Sequence, residues 1–275
     1  MSDAAAIGLL VESRYLSQSQ PAGLRDALAE RGNDVRVIDP RGSAWRLGDD
    51  AWLEGLSVLV ARGRSWDLLC LLSWAESRGV TTINRKAAIA GVHNKSEMSV
   101  TIARHDLPAP QTWFGSPETL AREVPADAFP LILKLIFGDN CRGLEVVESR
   151  EALRALDWPD AVAIAQTYHR TDGYDLKLYG IGGDVWGVRK PSPFNARREG
   201  ASGEAEPVAL TPELEALGRR CGEIFGLDLF GVDCIVTEEG PLVIEVNDYP
   251  NFTAVPDADR RLAEFVERRA EAVRS

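Results

Sequence analysis

The sequence predicts a mixed α/β and α+β protein, with a parallel α/β domain at the amino terminus followed by two smaller α+β units. Up to residue 84, continuous apolar runs alternate with helical patterns. This alternation is typical of a parallel sheet covered by helices on both faces. Beyond residue 84 the order becomes strand, loop, strand, helix and strand, and two hairpins follow. That order is typical of compact α+β units.

The N-terminal elements are predicted from apolar runs and helical periodicity. The runs IGLLV and SVLVARG are the clearest candidates for buried strands. The predicted strands are 7–11, 35–39, 57–63 and 81–84, and the predicted helices are 18–31 and 66–78. Ligands of open α/β sheets bind beyond the carboxyl ends of the strands. The loop 12–23 lies at such an end, so it could contact substrate, or it could simply begin a helix that Ser17 or Ser19 caps. Its candidate substrate contacts are Arg14, Tyr15, Ser17 and Gln18.

The remaining elements follow from prolines, glycines and alternation. The segment 85–106 predicts one or two helices, which end before Pro108 and Pro110. The later predictions are strands 130–136, 144–149 and 162–168, helices 150–156, 211–226 and 257–273, a glycine-bearing loop 138–143, a mobile loop 193–206, and a hairpin turning at 182–184. The expected domains are 1–84 (N-terminal α/β), 85–168 (central) and 169–275 (C-terminal, with the metal site).

The composition excludes several classes of function. The formal net charge is −11, from 31 basic and 42 acidic residues, which argues against a nucleic-acid partner or an anionic membrane surface. The four cysteines form no CxxC pair, so a reduced, cytoplasmic protein is expected. No apolar stretch reaches the roughly 18–20 residues of a membrane span. Neither GxGxxG after the first strand nor GxxxxGK[ST] occurs, so dinucleotide and P-loop schemes are not supported.

A hairpin in segment 230–252 holds the most informative side chains. The turn at 238–241 folds its strands together, so that Asp233 and Glu245 become near-opposite partners. Because strand side chains alternate between faces, these two residues should share one face with Asn247. The other face is expected to carry Val236, Leu242, Ile244 and Val246.

This arrangement predicts a magnesium site. Two carboxylates facing each other on adjacent strands repel unless a cation lies between them. A set of carboxylate and amide oxygens fits Mg²⁺ better than zinc, and such a magnesium ion also reaches phosphate oxygens. The alternative is a solvated polar face of a surface hairpin.

The hairpin resembles the metal-binding end of ATP-grasp enzymes, in which an Asp on one strand and a Glu-x-Asn on the next hold Mg-ATP. The resemblance implies the ATP-grasp fold with an open parallel pre-ATP-grasp domain at the amino terminus. It also implies Asp233, Glu245 and Asn247 as metal ligands, and ATP with two Mg²⁺ ions, which Mn²⁺ can replace, as cofactors. In this sequence Asp248 follows Asn247, where the ligase branch commonly has a small residue.

The same resemblance implies two lysine contacts to the nucleotide. Lys134 precedes the loop 138–143, whose Gly138 and Gly143 would let backbone N–H groups approach the phosphates. Lys95 matches a second lysine that approaches the nucleotide from the central helix. Without the resemblance, Lys134 could be an edge-strand lysine that reaches water, and Lys95 a solvated helix residue.

Further contacts are implied around the adenine and along the first hairpin. The segment 163–169 matches the hinge between the two subdomains, where Gln166 and Tyr168 would face the adenine. Family members often have a glutamate at the position of Gln166. Asp175 is implied as a nucleotide contact, and Lys177 and Arg189 as catalytic groups.

The resemblance leaves two reaction types open. Length and motif order resemble small glutamate-ligase-type enzymes, the RimK and LysX group, which would make the chain a carboxylate–amine ligase acting through an acyl phosphate on an amino-acid-like or peptide substrate. The stretch 175–195 and the ending VNDYPNF also resemble inositol-trisphosphate 5/6-kinases, which phosphorylate a hydroxyl. In that case the substrate would meet a basic group comprising Arg189, Lys190, Arg197 and Arg198. A non-catalytic ATP-binding protein is the third alternative. Small-molecule partners are expected, and a homodimer is possible by analogy.

Overall fold

A computed structural model describes residues 6–138, 143–192 and 203–274 of the chain. Within these ranges the secondary structure forms three sheets, each with its own helices. The helices are α1 (Ser19–Glu30), α2 (Trp66–Ser77), α3 (Lys86–His93), α4 (Lys95–Arg104), α5 (Pro117–Glu123), α6 (Arg150–Ala155), α7 (Pro212–Phe225) and α8 (Ala258–Arg274). Helices and sheets are mixed along the chain, as the sequence predicts.

The first sheet is parallel throughout and has the order β2-β1-β3-β4. Its strands are β1 (Ala6–Val11), β2 (Val35–Ile38), β3 (Leu56–Arg62) and β4 (Thr81–Ile83). The side chains of β1 and β3 alternate between two cores, because α1 covers one face and α2 the other. Both strands are therefore continuous apolar runs, since neither face meets water.

The second sheet is antiparallel, with the order β5-β8-β6-β7. Its strands are β5 (Thr112–Gly115), β6 (Leu131–Lys134), β7 (Leu144–Val147) and β8 (Ala163–Thr167). Neither β5 nor α5 was predicted from the sequence. Pro117 opens α5, and Ser116 caps it by accepting the N–H of Thr119 at 3.2 Å, which is a sequence signal for a helix start.

The third sheet is antiparallel, with the order β11-β10-β9-β12-β13. Its strands are β9 (Tyr174–Ile181), β10 (Asp184–Pro191), β11 (Glu206–Val208), β12 (Leu229–Thr237) and β13 (Gly240–Asp248). The first hairpin turns at the predicted glycines. The predicted mobile loop 193–206 lies mostly outside the described residues, but its last residue begins β11. Helix α7 starts at the Thr211 cap and ends at Gly226, whose φ of 64° favours glycine.

Packing between the sheets differs from the expected domain division. Helices α3 and α4, expected in the central domain, share a core with β9, β12, β13 and α7 of the third sheet. Helix α8 returns to the first sheet and packs on α1 and β3. The boundaries 1–84, 85–168 and 169–275 therefore remain a prediction about chain segments, while the cores join the first and third sheets.

No helix in the part of the chain that the structure describes is long and apolar enough to cross a membrane.

Asn84 joins the first and third sheets directly. Its buried side chain donates to the carbonyl of Leu229 at 2.7 Å and accepts the N–H groups of Asp228 and Leu229 at 2.8 and 2.9 Å. These three bonds satisfy the backbone at the start of β12. The amide therefore fixes where the strand of Asp233 begins relative to the first sheet.

We expect Asn84→Ala to lower the free energy of unfolding by about 3 kcal/mol, because it leaves buried backbone groups without partners. Urea unfolding followed by circular dichroism measures this loss. Val100→Ala, a truncation on the exposed face of α4, serves as the control and should change stability by less than about 0.5 kcal/mol. An unchanged urea midpoint for Asn84→Ala would show that the hydrogen bonds of Asn84 contribute little to the free energy of unfolding.

Candidate active site

A cavity of about 520 Å³, hereafter the central cavity, is lined by the second and third sheets and by loops that follow β1 and β3. It brings together ten of the twelve residues that the resemblance implies as metal ligands, nucleotide contacts or catalytic groups. They are Lys95, Lys134, Gly138, Gln166, Tyr168, Asp175, Lys177, Asp233, Glu245 and Asn247.

The carboxylates of the second hairpin lie opposite each other, as predicted. Asp233 on β12 pairs with Glu245 on β13, and Lys177 on β9 pairs with Asp233 from the other side. Three charged residues therefore lie in one row across adjacent strands. Asn247 belongs to the same group, because its amide Nδ2 donates to Asp233 Oδ2 at 3.5 Å.

Each carboxylate also contacts a lysine. Lys177 Nζ donates to Asp233 Oδ1, and Lys95 Nζ donates to Glu245 Oε1. Lys95 is the first residue of α4, which Asn94 caps by accepting the N–H of Ser96 at 3.0 Å. The N–H of Lys95 itself donates to the carbonyl of Ile136, beyond β6, at 3.2 Å. Lys95 is buried, so it is not the solvated helix residue of the alternative reading.

A β-bulge in β13 changes the face of the sheet to which the side chains between the bulge and the turn point. Pairing shifts between Asp233 and Cys234, so that Cys234 opposes Val243. Val232, Cys234, Val243 and Val246 share the buried core, while Ile244 lines the central cavity. The expectation that Ile244 and Leu242 would face away from the carboxylates with Val236 and Val246 is therefore wrong for Ile244 and Leu242, because a bulge breaks strict alternation. Leu242 pairs with Ile235, which itself lines the cavity.

Lys134 and Gln166 form the wall of the cavity on the second sheet. Strand β6 lies between β8 and β7, so Lys134 is on an interior strand and is buried. The alternative of an edge-strand lysine does not hold. Gln166 Nε2 donates to Thr112 Oγ1 at 3.1 Å, and its buried Oε1 has no hydrogen-bond partner among the described residues. That carbonyl oxygen is available to accept a hydrogen bond from a ligand's amino group.

The cavity shifts the pKa values of two neighbouring groups. Burial raises the pKa of Asp175, against the lowering effect of a hydrogen bond from Ser192 and of the nearby Lys177. Burial alone would lower the pKa of Lys177, but the adjoining Asp233 carboxylate raises it overall. Lys177 therefore stays charged in the cavity.

Two predicted site residues lie elsewhere. Arg189 pairs with Leu176 across β9 and β10, on the face away from the cavity, where it meets Asp172 Oδ2 at 2.8 Å and stacks on Tyr174 at 3.6 Å. Its neighbour Lys190 is the residue opposite Asp175. Gly143 does not line the cavity; a Cβ at this position would meet the Leu135 side chain at 2.5 Å. The rest of the loop 139–142 lies outside the described residues.

The loops of the first sheet supply residues that the sequence reasoning found only in part. Arg14, Tyr15 and Gln18, three of the four candidates in loop 12–23, line the cavity. Arg62 ends β3 and Arg64 follows it, and both line the cavity without having been predicted. The rule that ligands bind beyond the carboxyl ends of parallel strands applies to β3 as well as β1, and it could have found them.

The family model for the RimK-like ATP-grasp domain matches residues 92–264, which is more than half of the chain. The chain belongs to the RimK-like ATP-grasp family. It is similar to a probable alpha-L-glutamate ligase of Thioalkalivibrio sulfidiphilus, with 27% identity over 90% of this chain and 91% of that protein.

Solved structures agree on the fold. A RimK domain ATP-grasp protein from Sphaerobacter thermophilus superposes with a TM-score of 0.72 at 19% identity, covering 95% of this chain and 99% of that one. The ATP-grasp ligase PsnB, solved with a minimal precursor, Mg and ADP, gives a TM-score of 0.74 at 17% identity over 96% of this chain and 98% of that one. The ATP-grasp fold is confirmed, and the family match with the names of the relatives confirms an enzyme of the carbon–nitrogen ligase class.

We expect Asp175→Asn to stabilise the protein increasingly as pH rises. The raised pKa of Asp175 means that its contribution to stability is fully present below the pKa of the unfolded chain. That contribution is lost as pH rises through the higher pKa of the folded state. Urea unfolding of both proteins from about pH 4 to about pH 8 spans this change.

Asp172→Asn is the matched control, because a hydrogen bond from Arg189 lowers the pKa of Asp172. Its carboxylate stabilises the fold above the unfolded pKa and ceases to do so as pH falls, so its trend has the opposite sign. A stability difference for Asp175→Asn that does not vary with pH would contradict the assignment.

Proposed function

We propose that the chain is an ATP-dependent carboxylate–amine ligase that works through an acyl phosphate on an amino-acid-like or peptide substrate. The observation that carries this proposal is the row of Lys177, Asp233 and Glu245 on adjacent strands, with Lys95 bonded to Glu245. This row lies in a cavity large enough for a nucleotide and a small substrate. The relatives named as glutamate ligases make glutamate the first substrate to try.

The donor set fits magnesium bound with a nucleotide. Asp233, Glu245 and Asn247 would hold Mg²⁺, which neutralises phosphate charge when bound. Mg²⁺ sites of this type use one or two carboxylates together with the substrate's phosphates. Among the described residues no group of three or more His, Cys, Asp or Glu is arranged to hold a metal. Two ions, and replacement by Mn²⁺, remain predictions.

The protein groups position the nucleotide. The buried Lys134 and Lys95 and the partly buried Lys177 supply three cations for the phosphates, and Gln166 offers its unpartnered Oε1 to the adenine amino group. A substrate carboxylate oxygen then attacks the γ-phosphorus and ADP leaves. An amine next attacks the acyl carbon, which forms the amide and releases phosphate. This chemistry needs positioning and charge neutralisation rather than a side-chain nucleophile.

The kinase alternative loses part of its support. Of its four expected basic residues, Arg189 lies on the far face of the third sheet and Lys190 is not part of the cavity lining. Arg197 and Arg198 lie outside the described residues.

Turnover with a substrate panel tests the proposal. ATP and Mg²⁺ are supplied with amino acids, short peptides and inositol phosphates, and the mass of each product is read together with phosphate release. We expect a mass gain equal to an amino acid minus water, with inorganic phosphate released. A gain of one phosphoryl group on a hydroxyl would instead establish a kinase.

We expect Glu245→Gln to reduce this turnover by about 100-fold or more, since even groups one shell further from a metal contribute 10–100-fold. The control is Glu238→Gln, an exposed carboxylate at the turn of the same hairpin, which should keep full activity. Thermal unfolding of both variants checks that they fold. Full Mg-dependent turnover in Glu245→Gln would remove Glu245 from the metal site.

A further inference from the structure

Three arginines lie together where the first sheet meets the central cavity. Arg14 follows β1, Arg62 ends β3, and Arg64 lies two residues further on. All three line the cavity, and the nucleotide roles proposed above use none of them. Two carboxylates lie among them, because Glu12 pairs with Arg14 at 2.7 Å and Asp248 Oδ1 lies 3.9 Å from Arg64, so the group retains a net positive charge in a chain of net charge −11.

Arg62 is the centre of this arginine cluster. Its relative exposure is only 7%, and the acceptors of its hydrogen bonds are neutral. Nη1 donates to the carbonyl of Tyr249, and Nη2 donates to the amide oxygens of Gln18 at 3.3 Å and Asn251 at 3.5 Å. Its buried Nε has no hydrogen-bond partner among the described residues. The buried Asp248 carboxylate acts on Arg62 electrostatically but accepts no hydrogen bond from it, and Asp248 also lies 3.9 Å from Arg64. An anion that accepts a hydrogen bond from the Arg62 guanidinium would stabilise this buried cation further.

Aromatic rings hold the cluster in place. The Arg62 guanidinium lies 4.2 Å from the ring centre of Tyr15 and 5.6 Å from that of Tyr249. Arg14 lies 4.7 Å from the same Tyr15 ring. These contacts limit rotation of the Arg62 fork before a ligand arrives. A planar fork fixed in this way suits bidentate binding of a carboxylate.

The cluster contacts the chain that follows the proposed metal set, whereas Gln166 belongs to another sheet. Arg62 and Arg64 contact the residues that directly follow Asn247: Arg64 Nη2 is 3.9 Å from Asp248 Oδ1, and Arg62 bonds Tyr249 and Asn251. Gln166, the proposed adenine contact, belongs to the second sheet. A nucleotide with its adenine at Gln166 and its phosphates at the metal set would use none of the three arginines, which leaves them for an anionic group of the other substrate.

We propose that Arg62, flanked by Arg14 and Arg64, binds a carboxylate of the acceptor substrate. The inference rests on the proposed ligase function and adds the substrate class: an acceptor that presents a carboxylate to the N-terminal domain. This carboxylate is either the one that receives the γ-phosphoryl group or a second one at the other end of the molecule.

Calorimetry on the protein loaded with Mg-ADP tests the subsite. The probes are glutarate with two carboxylates, butyrate with one, and the neutral glutaramide. We expect glutarate to bind and glutaramide not to bind. Equal affinity for butyrate would assign the site to the reacting carboxylate, and preference for glutarate would assign it to a second carboxylate.

Two cluster variants and one control complete the experiment. Arg62→Lys keeps the positive charge but loses the planar guanidinium group, and Arg14→Gln removes a half-exposed cation that pairs with Glu12. Thermal unfolding of both variants checks that they fold. We expect each to weaken glutarate binding by roughly tenfold or more, because a hydrogen bond to a charged group is lost. Arg41→Gln, which removes an exposed arginine paired with Asp67 outside the central cavity, should bind glutarate like the wild type.

Measuring the affinity for Mg-ADP with the same samples distinguishes failure of the carboxylate subsite from failure of the proposed ligase function. The carboxylate subsite alone is overturned if the wild type binds Mg-ADP normally but does not bind glutarate. It is also overturned if Mg-ADP binding is normal and all four proteins bind glutarate equally. Failure of the wild type to bind Mg-ADP instead contradicts the proposed function.

Discussion

The candidate site depends on one row of charges across the third sheet. Lys177, Asp233 and Glu245 occupy adjacent strands at one level, and Lys95 reaches the last of them from α4. Holding two carboxylates this close is unfavourable unless positive charge compensates them. Other features serve this contact: the hairpin turn sets the register, the Asn94 cap orients Lys95, and Asn84 fixes the start of β12.

The two lysine–carboxylate ion pairs also imply that metal and nucleotide binding require the lysines to exchange one anion for another. Both carboxylates of the proposed metal set are bonded to lysines, and both lysines are also the proposed phosphate contacts. Both pairs are partly buried, so removing one partner leaves a partly desolvated charge without compensation. The lysines can therefore leave the carboxylates only when phosphates receive them, and a cation can enter only when the lysines leave. Metal and nucleotide binding are coupled on this account.

The sequence was sufficient for features that follow from local rules. Strand alternation and a turn centred on Glu239 predict that Asp233 faces Glu245, and apolar runs predict the parallel first sheet, both as found. The turn itself comprises Glu238 and Glu239, with Gly240 and Pro241 already in β13, so the pairing of Asp233 with Glu245 depends on a bulge as well as on the turn. The same rules give the wrong face where a bulge inserts one extra residue into a strand. The bulge at Ile244 has no clear local signal, so alternation carried through it assigns the wrong face. Arg189 was placed by resemblance, although counting from the turn puts Lys190, and not Arg189, opposite Asp175.

Tertiary packing is the part that the sequence did not provide. Nothing local to α3 and α4 indicates that they share a core with the third sheet, or that α8 returns to the first. The arginine cluster arises in the same way, since Arg14, Arg62 and Asn251 meet only when the ends of β1, β3 and β13 converge. Residues brought together by three separated segments need the fold to reveal them.

The most direct test of the coupled charge exchange is a calorimetric titration of Mg²⁺ into the protein with and without ADP. The account predicts that Mg²⁺ binds weakly or not at all alone, because Lys95 and Lys177 hold Glu245 and Asp233, and that saturating ADP increases its affinity by tenfold or more, on the order of 1.4 kcal/mol. Equal Mg²⁺ affinity with and without ADP would contradict it, since the carboxylates would then accept a cation without the lysines having phosphates to move to.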